Sequence, residues 1–110
     1  MSNEMGKLKK VDISKGIKVG GFDFTIDASD IAHKSLRSDN DNGQCNCNTH
    51  VISLDNDMDE TQTSKTFIHV VIEAVNYIYC DSKIEHEKIQ QLSFGIHQVM
   101  ESLDIRFGVK

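Results

Sequence analysis

Four polar residues recur along one face of a predicted helix over residues 64–80: His69, Glu73, Asn76 and Cys80. They fall in one line because an α-helix turns by about 100° per residue. A histidine and a carboxylate one turn apart can both reach the same metal ion, as they do in helical zinc sites. The other interpretation is a hydrogen-bonded pair on the exposed edge of the helix. His69 and Glu73 are therefore the candidate metal ligands.

The cysteines give a weaker signal for a metal site. Cys45-x-Cys47-x-x-His50 contains ligand types, but zinc sites usually need four well-separated ligands. Two small, half-buried cysteines on one face of a strand are the favoured interpretation. With Cys80 the cysteines are odd in number, which is typical of a reducing cytoplasm rather than of a disulfide framework.

Alternating aspartates over residues 55–59 begin like a calcium-binding loop. Glu60 stands where that loop requires glycine, and Thr66 stands where it requires its final glutamate. We therefore expect an acidic, solvated loop. His33 and His97 have no evident partners in the sequence and are expected at the surface or at an edge.

Helices and short strands must position these residues. Alternating apolar positions predict strands at 17–19 and 22–26, and two further short strands flank Asn48-Thr49. Apolar stripes predict a largely buried helix over 64–80 and a one-faced helix over 85–103. The predicted fold class is α+β, with a small antiparallel sheet of two N-terminal strands plus a short hairpin, followed by an antiparallel pair of helices.

Length and charge limit the class of protein. The chain has 110 residues and a net charge of −5, so we expect one domain and no nucleic-acid partner. No apolar run predicts a membrane span or a signal peptide. Residues 1–12 are expected to be a flexible N-terminal segment, in which Lys7, Lys9 and Lys10 form a solvated tail, and residues 13–110 to be a single α+β domain.

Three segments carry a resemblance to a known family: KVGGFDFTI at 18–26, TFIHVVIEAV at 66–75 and IEHEKIQQLS at 84–93. They resemble the first strand, the threonine-led His-Glu-x-x-His helix and the second helix of small phage and prophage proteins. Those proteins have a zincin-like core and are distantly similar to ImmA/IrrE-type metallopeptidases. The resemblance implies a zincin-like core and a cytoplasmic location in a bacterial host cell.

The departures from the family motif concern its catalytic residues. His69 matches the first metal ligand, but Val70 replaces the glutamate that would act as general base, and Glu73 replaces the second histidine. Loss of a general base typically lowers the rate by about 10²–10⁴-fold. Glu73 can still offer a carboxylate oxygen to zinc. We therefore expect no catalytic residue and no cofactor, although zinc stays a candidate ion.

The third ligand would come from the second helix, where Glu85, His86 and Glu87 are the candidates. The family pattern favours Glu87 or its immediate neighbours. The helical wheel instead aligns Glu85 with the packed stripe that includes Ile89. The two criteria disagree, and the sequence assigns no third ligand.

Two functions follow from the resemblance and the departures. The first is a non-catalytic metallopeptidase-like protein that binds another protein, such as a host toxin, a defence protein or a regulator, and inhibits it. The negative charge suits a basic partner. The alternative is a metal-dependent peptidase with an altered site. A homodimer formed through the helical pair stays open, as does a purely structural role in a mobile element.

Overall fold

The computed structural model describes residues 8–109 and belongs to the α+β class. Its elements within that range follow the order β1 (Lys9–Asp12), β2 (Ile17–Val19), β3 (Phe22–Asp27), α1 (Asp30–Ser38), β4 (Gly43–Asn46), β5 (Val51–Leu54), α2 (Glu60–Tyr79), α3 (His86–Ser102) and β6 (Ile105–Gly108).

Four strands form one mixed sheet in the order β2-β3-β5-β4. The outer pairs, β2 with β3 and β4 with β5, are antiparallel, whereas β3 and β5 are parallel, with Ile26 opposite Ile52. The expectation of an antiparallel sheet is therefore wrong at the central pair. The cause is the long connection through α1 and β4, because a crossover that contains a helix allows the returning strand to run parallel.

Helix α1 occupies a stretch in which the sequence pattern predicted no element. The Ser29 hydroxyl caps it by accepting the backbone N–H of Ala32 at 3.1 Å. Ala32 and Leu36 are its buried residues, and Ile31 beside them is 81% exposed. A helix of nine residues with one short buried stripe gives too weak an apolar period to be recognised from the sequence.

The two long helices agree with the periodicity that predicted them. Helix α2 begins earlier than expected because Asp59 caps it, accepting the backbone N–H of Gln62 at 2.8 Å. Helix α3 begins at His86 and ends at Ser102, one residue inside each predicted bound. The two helices pack against each other, so the start of α3 comes near the middle of α2.

The hydrophobic core lies between the four-stranded sheet and α2. Phe24, Ile52 and Leu54 of the sheet are at most 1% exposed and pack against apolar residues of α2, among them Val70 and Ala74. Since α2 is covered by the sheet on one side and by α3 on another, its wide apolar surface is accounted for.

Part of the leading segment forms a strand. Residues 1–7 of the expected flexible segment, including Lys7, lie outside the described range, but residues 9–12 form β1. β1 pairs in parallel with β6, and Lys10 Nζ lies 2.8 Å from a carboxylate oxygen of Glu60. The sequence pattern does not predict β6, the strand with which β1 pairs. None of the helices within residues 8–109 is long and apolar enough to cross a bilayer.

Candidate metal centre

His69 and Glu73 lie one turn apart on α2, on the side of the helix that faces the β4 edge of the sheet and the start of α3. The His69 Nε2 atom is 3.1 Å from Glu73 Oε2, and both side chains are partly exposed. This contact is a hydrogen bond as it stands, so the helical pair satisfies both interpretations of the sequence. A third ligand is needed to distinguish a metal site from a surface pair.

The loop between α2 and α3 determines which residue of α3 reaches this pair. The side chain of Asn76, which is 6% exposed, bonds both backbone groups of Ile84: its amide donates to the carbonyl oxygen at 3.1 Å, and its oxygen accepts the N–H at 3.0 Å. Asp81 and Ser82 turn the chain with positive φ angles of 56° and 57°. Asn76 thus clamps the loop two residues before α3 begins.

The clamped loop brings His86, the first residue of α3, to the pair on α2. His86 Nδ1 lies 3.8 Å from Glu73 Oε2, and the rings of His86 and His69 are centred 5.4 Å apart. One ligand atom from each of these three residues lies within 4.8 Å of the others. Among the described residues, His86 rather than Glu85 or Glu87 completes this cluster.

Two of the three separations in the cluster are close to the spacing of ligands around a small metal ion, and all three are at most 4.8 Å. Ligands about 2.05 Å from a tetrahedral zinc ion lie about 3.3 Å from one another. The separations from Glu73 Oε2 to His69 Nε2 and to His86 Nδ1, 3.1 and 3.8 Å, bracket that value. Two imidazoles and one carboxylate form a donor set that zinc accepts, so the residues present fit the ion.

The cluster opens into a polar cavity of about 590 Å³ between the β4 region and the two long helices. Asp41 is the one further carboxylate among the described residues that line it, and its Oδ1 accepts the backbone N–H of Asn42 at 2.9 Å. Val70, the residue after His69 on α2, is fully buried in the core. The cavity can therefore admit a ligand, but the side chain at position 70 is not among the residues that line it.

Cys45 lines the same cavity and lies beside a second thiol. Its Sγ is 3.4 Å from Sγ of Cys47, and both side chains are half-buried, as expected. Burial, followed by the neighbouring Cys47 and the charge of Glu73, raises the pKa of the Cys45 thiol to about 12. Cys47 lies in the turn after β4 rather than on the same strand face, which explains how the two sulfurs meet.

His50 does not join the cysteines. Its ring stacks on Phe22, with centroids 4.7 Å apart, and packs edge-on against Phe24 at 5.0 Å. The positive φ of 60° at His50 comes immediately before β5, and the ring packs against residues of β3. The motif Cys45-x-Cys47-x-x-His50 is therefore not assembled as a ligand set.

The expectation of a solvated acidic loop is wrong at its first residue. Asp55 is 2% exposed and receives a hydrogen bond from His33 Nδ1 at 2.5 Å, while Arg37 Nε lies 3.0 Å from its other oxygen. Burial raises the pKa of Asp55, but the hydrogen bonds from His33 and from the Asp57 backbone, together with the Arg37 charge, lower it overall. The cluster ties α1 to the end of β5, so His33 does have a partner.

His97 is also placed differently from its expected surface position. It is 9% exposed on the inner face of α3, near the carboxylate of Glu101, which forms a bidentate pair with Arg106 at 2.9 and 3.0 Å. Neither sequence spacing nor apolar periodicity could indicate this, because Arg106 belongs to the unpredicted strand β6.

Asn76 is the residue whose contribution the sequence analysis missed. It belongs to the polar line with His69 and Glu73, yet it organises the loop instead of facing the cavity. A buried asparagine in the last turn of a helix, followed by a short polar loop, was the available signal.

No protein-family model matches this chain, and no match is found among curated proteins or solved structures.

Proposed function

We propose that this chain is a non-catalytic, metallopeptidase-like protein that retains a zinc site and acts by binding another protein. One observation carries the proposal: His69, Glu73 and His86 converge within 4.8 Å at an open cavity, while the position of the general base is a fully buried valine. This arrangement supports a centre that keeps candidate ligands but lacks the group that would take a proton.

The donor set supports a degenerate zincin-like origin. Catalytic zinc sites of one common type use two histidines and one glutamate. The same three residue types meet here, but the glutamate is on α2 with one histidine, and the second histidine is on α3. Zinc binding would be preserved if the glutamate and the second histidine of such a site had exchanged places. Zinc bound there would hold the start of α3 against the middle of α2.

The electrostatics of the cavity support a non-catalytic role. Glu73 already faces both histidines, and Asp41 is occupied by backbone N–H groups of its own turn. A base must come within about 3 Å of the proton that it removes, and its loss lowers rates by about 10²–10⁴-fold. No described carboxylate besides these two lines the cavity.

The net charge of −5 supports a basic protein partner, because opposite charge accelerates association and selects among partners. Together with the resemblance to phage and prophage proteins, it leads us to propose that the partner is a bacterial host protein such as a toxin, a defence protein or a regulator. The proposed action is inhibition of that partner by occupation of its basic surface, in the cytoplasm of the host.

Zinc content tests the metal site. We would purify the wild type and the variants His69→Ala, His86→Ala and Glu87→Ala without chelator and measure zinc by inductively coupled plasma mass spectrometry. Near-stoichiometric zinc is expected in the wild type and in Glu87→Ala, which changes an exposed carboxylate next to the site. Loss of zinc is expected in the two histidine variants. A wild type without zinc, or zinc retained in His86→Ala, would contradict the proposal.

A peptidase with an altered site is the second candidate, because a three-ligand zinc site beside a cavity of about 590 Å³ leaves room for a substrate. The zinc-loaded protein would be incubated with a mixture of unstructured peptides, and cleavage would be followed by mass spectrometry. We expect no cleavage above that of His69→Ala. Cleavage that disappears in His69→Ala would establish the enzyme and refute the non-catalytic role.

The partner is tested by immobilising the protein and passing over it a bacterial lysate at low and at high salt. A basic protein that is retained at about 0.05 M salt and released at about 0.5 M is expected, because salt screens charges beyond a few ångströms at high ionic strength. Retention of nothing, or only of acidic proteins, would contradict the proposed electrostatic recognition.

A further inference from the structure

The outer face of α3 exposes a regular row of large apolar side chains. Leu92, Ile96, Val99 and Leu103, the last at the C-cap, are 47%, 38%, 52% and 60% exposed. Successive members of the row are four, three and four positions apart, and the buried residue Ile89 lies three positions before Leu92. This alternation is the repeat with which one helix packs along another in a coiled coil. Within residues 8–109 no element covers the row, which we call the α3 stripe.

The α3 stripe is uncharged, although charged residues make up 26% of the chain. Between residues 89 and 103 the one residue with a formal charge is Glu101, and its carboxylate is paired with Arg106 of β6. A basic partner would select an acidic surface, which this face does not offer. Two copies of the chain, each with a net charge of −5, can approach here without placing like charges opposite each other.

We propose that the α3 stripe packs against the α3 stripe of a second copy of this chain, forming a two-fold symmetric dimer. A self-complementary contact requires that one surface match itself, and an alternating three–four apolar row does so by fitting side chains between those of its counterpart. The expected affinity is modest. Helix α3 has 17 residues and is therefore about 25 Å long, and the row alone cannot supply the roughly 800 Å² per partner of a standard interface.

The dimer does not depend on the proposed metal site. Its residues follow the first turn of α3, whereas His86 is at the start of the helix and His69 and Glu73 are on α2. A variant of the stripe should therefore keep its zinc, and a variant of the metal site should keep its self-association. Failure of one proposal leaves the other intact.

Sedimentation velocity over a range from about 1 to 500 μM tests the dimer. The wild type should shift from monomer to dimer with increasing concentration. Val99→Asp should raise the dimer dissociation constant by about 100-fold or more, because an aspartate in the middle of the stripe would be buried unpaired in the dimer. Since Val99 is half exposed in the monomer, the variant should fold normally by circular dichroism.

Ile31→Asp is the matched control, because Ile31 is an apolar residue that is 81% exposed on α1, away from the stripe. It should leave the dissociation constant unchanged. Leu103→Asp at the other end of the stripe provides a second disruptive variant. A wild type that stays monomeric at 500 μM overturns the proposal and leaves the stripe to a different protein. Equal dimer dissociation constants for Val99→Asp and Ile31→Asp would also overturn the proposal.

Discussion

Asn76→Ala removes the clamp that fixes the loop between the two long helices. The buried amide of Asn76 makes two hydrogen bonds to the backbone of Ile84, and its main-chain carbonyl accepts the N–H groups of Cys80 and Ser82 at 3.0 and 2.9 Å. Alanine keeps the main-chain bonds and the helix but deletes both side-chain bonds. The substitution therefore isolates the side-chain clamp from the helix that carries it.

The expected destabilisation is about 3 kcal/mol. Two side-chain hydrogen bonds contribute about 2 kcal/mol net, and about 1 kcal/mol more is lost because the half-buried Ile84 backbone regains only part of its hydration. For a domain of this size the loss corresponds to a fall of about 13 °C in Tm. A displaced His86 should also weaken zinc binding at the proposed site by roughly 10-fold.

Chemical denaturation in urea, with and without chelator, measures both effects. Asn48→Ala is the control, because Asn48 is exposed and its side-chain oxygen accepts only a long hydrogen bond, 3.3 Å, from the Tyr77 hydroxyl. Its effect should stay below about 0.5 kcal/mol. If Asn76→Ala were as mild as this control, the clamp would not fix the loop, and the placement of His86 would need another explanation.

Three further predictions concern separate parts of the fold. Asp55→Asn should lower the free energy of unfolding by about 1–3 kcal/mol at pH 7. Because the folded pKa of Asp55 is lowered from 3.8, the wild type should lose this advantage as the pH falls below about 4, and urea titrations at pH 3 and 7 that show a constant difference would contradict it. The Cys45 thiol has a pKa of about 12 and should therefore react slowly with iodoacetamide at pH 8. We expect its rate, measured by mass spectrometry, to be at least about 100-fold lower than that of the same cysteine in a peptide of residues 43–48. Gly43→Ala should lower the free energy of unfolding by about 1–3 kcal/mol, because the new methyl group would lie 2.5 Å from Thr66 Cγ2. Gly95→Ala, with open space around the new methyl group, should instead stabilise α3 by about 1 kcal/mol. Equal Tm shifts of the two variants would refute the steric argument.

The sequence was informative wherever a regular apolar period extended over several turns or strands. Helices α2 and α3 were located within about one turn because each carries a long stripe. Strands β2 to β5 were predicted from alternation and from the turn residues between them. The sequence pattern did not predict β1, α1 and β6, which are short and have few buried residues, because two to four positions do not establish a period.

The candidate ligands divide in the same way. The sequence alone determined that His69 and Glu73 share a helix face, because the spacing of residues in a helix depends only on its geometry. It also determined that position 70 carries no base. The third ligand could not be chosen among Glu85, His86 and Glu87, because the direction of α3 depends on the loop that Asn76 holds.

Only the tertiary structure decided contacts between residues far apart in the chain. It joined Asp55 to His33, paired β1 with β6, and made β3 and β5 parallel. Such contacts depend on the three-dimensional path of the whole chain, and local propensity contains no information about it. The sequence therefore determined the longer elements and the helical half of the candidate metal site. The packing of those elements determined the histidine that completes it.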